Sequence, residues 1–346
     1  MKKISLIIMS LAILLLTGCG KNSESDVLSK LSKKIDNSKG YLMTASLEIV
    51  NNDDIYNYNV EAAYKEGDYY RVSLVNTANN HEQIILKNDE GIYVLTPSLN
   101  KSFKFQSEWP YNNSQIYLLQ SIVNDLKNDK DLTFEQEKDT YTFTSSVNYP
   151  NNRNLVKQQV TFSDDLVLKE AIVLTDTDVP KMTLRVKDID FSPNFKKEYF
   201  DLEEIMSTTE NSESEAEQPD ANTEESTETT ASIEDVIYPL VLPEGTKLKS
   251  EEKVAKTDGE RVILTFEGEK PFLLVEETVS IADDLTVIPT MGEPYMFMDT
   301  IGALSTNSLT WTSGNMEYYL VSDVMNQDEL VEIASSISVV PTISIK

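Results

Sequence analysis

The side chains able to do covalent or acid–base chemistry are few. Cys19 is the only cysteine and His81 the only histidine of 346 residues. A lone cysteine excludes an intramolecular disulfide and a multi-cysteine zinc site. A lone histidine excludes a multi-histidine metal centre, and a Ser-His-Asp triad would require His81 itself, with no nucleophile motif in sight. His81 follows Asn79-Asn80 at a loop-to-strand junction. The acidic doublets Asp53-Asp54, Asp164-Asp165 and Asp283-Asp284 fall where turns are expected. Any fold can bring two carboxylates together, so a glycosidase-type pair stays open on sequence. The expectation is nevertheless no enzyme, no metal and no cofactor.

Cys19 is different, because its surroundings are specific. Met1-Lys2-Lys3 precedes an apolar run from Ile4 to Leu16, and Leu16-Thr17-Gly18-Cys19 ends it. The run is shorter than the roughly 18 residues of a membrane-spanning helix and matches the charged and apolar regions of a secretory signal peptide. Thiolate sulfur is a strong nucleophile, and small Gly18 leaves room for a peptidase at the Gly18–Cys19 bond. Leu16-Thr17-Gly18-Cys19 resembles the lipobox of bacterial lipoproteins. That resemblance implies diacylglycerol on the thiol, palmitate-type acylation, cleavage before Cys19, and anchorage on the extracytoplasmic face of the cell membrane. Each buried CH₂ contributes about 0.8 kcal/mol, so two acyl chains hold a protein where one would not.

The charge balance limits the partners. The chain carries 30 basic and 58 acidic residues, and loss of Lys2 and Lys3 with the leader takes its net charge from −28 to −30. Nucleic acid would be repelled, as would anionic headgroups, leaving the tethering to the acyl anchor.

Residues 207–232 carry eight acids, no lysine or arginine, and no aliphatic side chain larger than alanine. Such a segment cannot bury enough surface to offset ordering entropy and reads as an extended acidic linker. The domains expected are a signal peptide over 1–18, a tether over 19–25, a first domain over 26–206, the linker, and a smaller domain over 233–346.

In the first domain, Leu28, Leu31 and Ile35 predict a helix from Asp26 to Lys39, started by Ser25 or Asp26 and stopped by Gly40. Period-two segments follow at 41–50, 55–64, 69–75, 83–86 and 92–95, with Gly67 and Gly91 in turns. A second helix is predicted from Ser114 to Lys127, and strands resume at 141–147, 156–162, 166–174 and 181–191. Two apolar helix faces need cover, and the concave side of a curved antiparallel sheet supplies it. Met43, Phe103, Phe105, Trp109 and Tyr117 read either as a pocket lining or as ordinary core.

With helix and meander come Asp68-Tyr69-Tyr70-Arg71-Val72, then Lys87-Asn88-Asp89-Glu90-Gly91-Ile92-Tyr93-Val94 and Pro97. Later come Val186-Lys187-Asp188-Ile189-Asp190-Phe191, Asn194 and Tyr199-Phe200. In this order the residues resemble the LolA-like superfamily of lipoprotein-carrier and RseB-type regulatory domains. They are more closely similar to its lipid-anchored sporulation and germination lipoproteins in spore-forming Gram-positive bacteria. The resemblance implies an α+β half-barrel whose concave apolar face, covered by helices, holds an acyl chain or a partner segment. It also implies a ligand role for Arg71, which stands where the carrier has an arginine near its helix lid. One departure is that the carrier shuttles between membranes, whereas this chain is fastened to one.

In the smaller α+β domain, hairpins are predicted around Glu267-Gly268-Glu269-Lys270 and Ser313-Gly314-Asn315. Asn326 caps a last helix carrying Leu330, Ile333, Ala334 and Ile337, with Trp311 packed on it. This part resembles small C-terminal domains of Gram-positive lipoproteins and anti-sigma regulators. The function expected is a membrane-anchored envelope lipoprotein that binds a protein partner in sporulation, germination or cell-wall processes. The alternatives are an acyl-chain carrier or an RseB-type stress sensor acting on a sigma factor.

Overall fold

The computed structural model describes residues 22–51, 54–150, 152–214, 232–233, 235–257 and 259–337. The signal peptide, Cys19 and most of the acidic segment lie outside these residues.

The described residues open with helix α1 (Glu24–Asp36), capped at Ser23, whose Oγ accepts from the Asp26 N–H at 3.2 Å. The cap sits two residues before Ser25 and three before Asp26, the two positions predicted, and the buried stripe is Val27, Leu31 and Ile35. Strands β1 (Gly40–Asn51), β2 (Asp54–Lys65), β3 (Tyr69–Asn76), β4 (Glu82–Asn88), β5 (Gly91–Thr96) and β6 (Lys101–Phe105) form an antiparallel meander. Gly67, in the β2–β3 turn, takes φ +97°, the left-handed geometry expected of it. Helix α2 (Leu119–Asn128) buries Leu119, Ile122, Val123 and Leu126. It begins five residues after the predicted start. Ser114 is engaged elsewhere: its N–H donates to the Asn148 carbonyl and its Oγ accepts from the Asn148 N–H, both at 2.8 Å.

Strands β7 (Thr133–Gln136), β8 (Thr140–Ser146), β9 (Lys157–Ser163), β10 (Leu168–Leu174) and β11 (Pro180–Asp190) return the chain to β1. The resulting sheet is large, curved and antiparallel apart from one strand pair, and it does not close into a barrel among the described residues. Its concave side is a continuous apolar core. Tyr41, Met43, Leu47, Val60, Tyr70 and Val72 of the sheet meet α1, α2 and Trp109 of the 106–118 connection. The alternation is strict, so the intervening residues of the same strands face outward.

The outer face carries a helix as well, one the sequence reading did not place. A third helix, α3 (Leu202–Ser214), lays Leu202, Ile205 and Met206 on the convex face over Ile84, Leu86 and Leu95. It also runs eight residues into the segment read as linker.

The second module has strands β12 (Lys247–Lys256), β13 (Gly259–Glu267), β14 (Phe272–Thr278), β15 (Thr286–Thr290), β16 (Glu293–Phe297), β17 (Thr300–Leu304), β18 (Ser308–Ser313) and β19 (Met316–Val321). Helix α4 (Gln327–Ser335) closes it with a capping box between Asn326 and Glu329. Seven of these strands form one sheet, ordered β12-β13-β14-β19-β18-β17-β16, and Trp311, Leu330 and Ile333 share its core.

The eighth strand crosses over. β15 pairs parallel with β6, from Thr286 opposite Lys101 to Thr290 opposite Phe105, and so extends the first module's sheet. An edge strand that would have exposed unpaired amides is thereby covered by the chain itself. β17 reaches the concave core as well, through Ile301 and Ala303. The hollow implied by the family resemblance is thus filled by α1, α2, the 106–118 connection and β17.

Candidate functional site

Where the two modules meet, a cleft of about 210 Å³ remains open. One wall is the end of β1 (Ile49, Asn51) and the start of β11 (Lys181, Met182). The connections at 113–117 and 149–155 form the second wall. The third is β16 with Met298, backed by Val331 and Ser335 of α4. The volume lies below the roughly 300–1,000 Å³ of ordinary small-molecule pockets. It suits one or two apolar side chains better than a whole ligand.

Several contacts fix these walls. The buried Tyr58 hydroxyl donates to the Met298 carbonyl at 2.8 Å, tying β2 to the β16–β17 turn. The Tyr117 hydroxyl donates to Gln115 Oε1 at 2.6 Å, and Gln115 in turn donates to Asn113. Beside the cleft, Arg153 pairs with Asp328 at 2.9 Å. Arg153 is 81% exposed, so this pair adds little stability but marks where the modules face each other. Burial, with the nearby Asp328 charge, pushes the Tyr295 phenol up to about 12, and burial raises those of Tyr117 and Tyr149 too. All three rings stay neutral at physiological pH and can both donate and accept hydrogen bonds.

The cleft's electrostatics stand apart. In a chain with 58 acidic residues, no described residue lining it is a carboxylate, while Lys181 supplies one positive charge. Four other grooves of the molecule each contain at least one acid: Glu317, Glu277, Glu82 and Asp125 among them. Amides dominate the cleft's polar lining, with Asn51, Asn113, Gln115, Asn152 and Asn154. Neutral donor–acceptor groups around an apolar floor of Ile49, Met182, Met296 and Val331 can pair with a peptide backbone while an apolar side chain enters.

The residues singled out in the sequence are scattered. Gly18 and Cys19 lie outside the described residues. Arg71 faces away from the hollow, on the convex side of β3. Its guanidinium lies 4.7 Å from the centre of the Tyr199 ring, and Nη1 donates to the Tyr199 carbonyl at 3.5 Å. There Arg71 lines a groove with Tyr199 and with Glu204, Ile205 and Thr208 of α3. β3 alternates, and Tyr70 and Val72 take the inward positions. His81 sits beside Ser98, with Nδ1 3.4 Å from the hydroxyl. Asp164-Asp165 and Asp283-Asp284 occupy a turn and a bend.

Of the five pocket candidates, Met43 and Trp109 are fully buried core. Phe103 and Phe105 line a second groove, against the outer face of the smaller sheet, and only Tyr117 reaches the cleft. The cleft's amides were missed. The signal was there in two loops, Tyr111-Asn112-Asn113-Ser114-Gln115 and Tyr149-Pro150-Asn151-Asn152, uncharged amide-rich stretches in a highly charged chain.

No protein-family model matches the chain. It is 36% identical over 327 residues to the sporulation protein YdcC of Bacillus subtilis (strain 168), covering 94% of each. The chain belongs to the YdcC family. Solved structures similar to this YdcC-family protein include MucB, which it matches over 92% of its own length and 98% of that chain, at 13% identity and a TM-score of 0.35. A second is the LolA superfamily protein NE2245 of Nitrosomonas europaea, matched over 53% of this chain and 99% of that one, at 11% identity and a TM-score of 0.30. The expected likeness to sporulation proteins agrees with the kinship to YdcC. No described helix is long and apolar enough to cross a membrane.

Proposed function

We propose that this YdcC-family protein is a lipid-anchored, non-enzymatic envelope lipoprotein that binds another extracytoplasmic protein during sporulation. The observation that carries the reading is the carboxylate-free, amide-lined cleft between its two modules. A surface of strong negative charge keeps most partners off, and a concavity whose described lining has no carboxylate is where a polypeptide can approach without repulsion. The kinship to a sporulation protein supplies the setting. Cys19 supplies the anchor: behind its apolar leader the thiol takes the diacylglycerol, and the two acyl chains hold the ectodomain at the membrane.

The packing of the concave core argues against an acyl-chain carrier, because a lipid tail would have to displace Trp109, α2 or β17. Two measurements test the proposal. Cys19→Ser should abolish labelling by a palmitate analogue and release the protein from the particulate fraction. The soluble ectodomain, immobilised against envelope extracts of sporulating cells, should retain a specific protein. Unchanged fractionation of Cys19→Ser refutes the anchor, and recovery of no specific protein refutes the binding role.

A further inference from the structure

Asn22, only three residues beyond Cys19, is fastened to one end of the large sheet. Its backbone N–H donates to Gln136 Oε1 at 2.9 Å, and its Nδ2 donates to the Tyr141 hydroxyl at 2.8 Å. Three residues of chain span at most about 11 Å. A lipid on Cys19 therefore holds the bilayer surface within that distance of Asn22, whatever path the chain takes between them.

Gln136 ends β7 and pairs with Tyr141 near the start of β8, which pairs in turn with Phe162 near the end of β9. The same strands reach the cleft at their opposite ends. Ser146 closes β8 opposite Lys157, Leu174 closes β10 opposite Pro180, and Met182 of β11 lies opposite Ile49 of β1. Ile49 and Met182 line the cleft, and Tyr149 and Asn154 follow directly from β8. At roughly 3.3 Å per residue, β8 alone separates the two ends by about 20 Å.

The anchored end is acidic. Glu137, Asp139, Asp164 and Asp165 are exposed there, with Lys138 the single exposed base in those two turns. An anionic leaflet repels such a surface within about a Debye length, roughly 8 Å at physiological salt, so the acyl anchor and not charge holds this end near the bilayer.

We propose that the protein stands upright on the membrane by the β7–β8 end of its half-barrel, presenting the cleft and the second module away from the lipid. The cleft then serves a protein surface beyond the headgroups, and neither lipid nor a membrane-embedded segment is within its reach. This stance rests on the acyl anchor at Cys19.

The test uses the full lipidated chain bound to vesicles of phosphatidylcholine and phosphatidylglycerol that contain a nitroxide-headgroup lipid. Lipidation consumes the only thiol, so Lys138→Cys and Asn154→Cys each accept a single fluorophore. The label at 138 should be quenched severalfold more strongly than the label at 154. Equal quenching, stronger quenching at 154, or none at either position in protein that floats with the vesicles overturns the upright stance and leaves the anchor intact. Protein that does not float overturns the anchor, and the stance with it.

Discussion

The side-chain amide of Gln83, on β4, meets both backbone polar groups of Ile301, on β17. Oε1 accepts from the Ile301 N–H at 2.5 Å, and Nε2 donates to its carbonyl at 3.4 Å. The same Oε1 accepts from the Thr300 hydroxyl at 3.0 Å. One buried glutamine thus does for two modules what a neighbouring strand does within a sheet. It sits where β17 enters the concave core, close behind the Tyr58 link to Met298.

Gln83→Leu should strand the Ile301 amide in an apolar setting. The expected loss is about 1–3 kcal/mol in urea unfolding, with faster hydrogen exchange confined to β16 and β17. Uniform exchange behaviour would show that the modules are held by packing alone.

Glu276 gives the second module a pH dependence. Its carboxylate is buried on β14 and accepts from the Ile237 N–H through both oxygens at 3.1 Å, fastening the segment that follows the acidic linker. Burial raises it from 4.5 to about 7, outweighing the hydrogen bond, while the Glu251 charge pushes the same way. The folded state therefore binds the proton more tightly than the unfolded chain does. Stability from this group is present below about pH 4.5 and is lost as pH rises to about 7, on the order of 3 kcal/mol. Glu276→Gln should flatten that slope and raise the melting temperature at pH 8. A steeper slope, or a lower melting temperature at that pH, would contradict the assignment.

The cleft should be sensitive to added negative charge. Asn154→Asp combined with Ser335→Asp puts two carboxylates into a lining that has none. Partner capture by the ectodomain should fall at least tenfold, or by about 1.4 kcal/mol, with the unfolding curve unchanged. Lys181→Glu should act in the same direction. Undiminished capture by both variants would move the binding surface elsewhere.

Arg71 is expected to matter for the convex face and not for the cleft. Arg71→Met removes a guanidinium stacked on Tyr199, whose hydroxyl donates to Glu61 at 2.7 Å. The loss should be about 0.5–2 kcal/mol, with capture unaltered. Loss of capture without loss of stability would restore the ligand role implied by the family resemblance.

The parts of the fold legible in the sequence are those set by local period. The alternation of Tyr41, Met43, Ala45 and Leu47 fixed which face of β1 is inward, and Gly67 marked the β2–β3 turn. What stayed hidden depends on distant partners. Nothing in Thr286-Val287-Ile288-Pro289-Thr290 says that its partner is β6, some 185 residues back, since parallel pairing leaves no turn between the strands. Leu202, Ile205 and Met206 mark an apolar helix face, but an acidic sequence follows at once and the linker composition masked it. The cleft was legible only as composition: its amides come from loops, which carry no period, and only assembly of the two modules brings them together.

The central claim is that the cleft receives a protein partner at the cell surface. A photo-crosslinking residue placed at Asn154 in the full-length protein, irradiated in sporulating cells, tests it most directly. The account predicts a discrete higher-mass adduct from Asn154 and none from the same group at Asp164, at the other end of the sheet. No adduct from Asn154, or an equal adduct from Asp164, would contradict it.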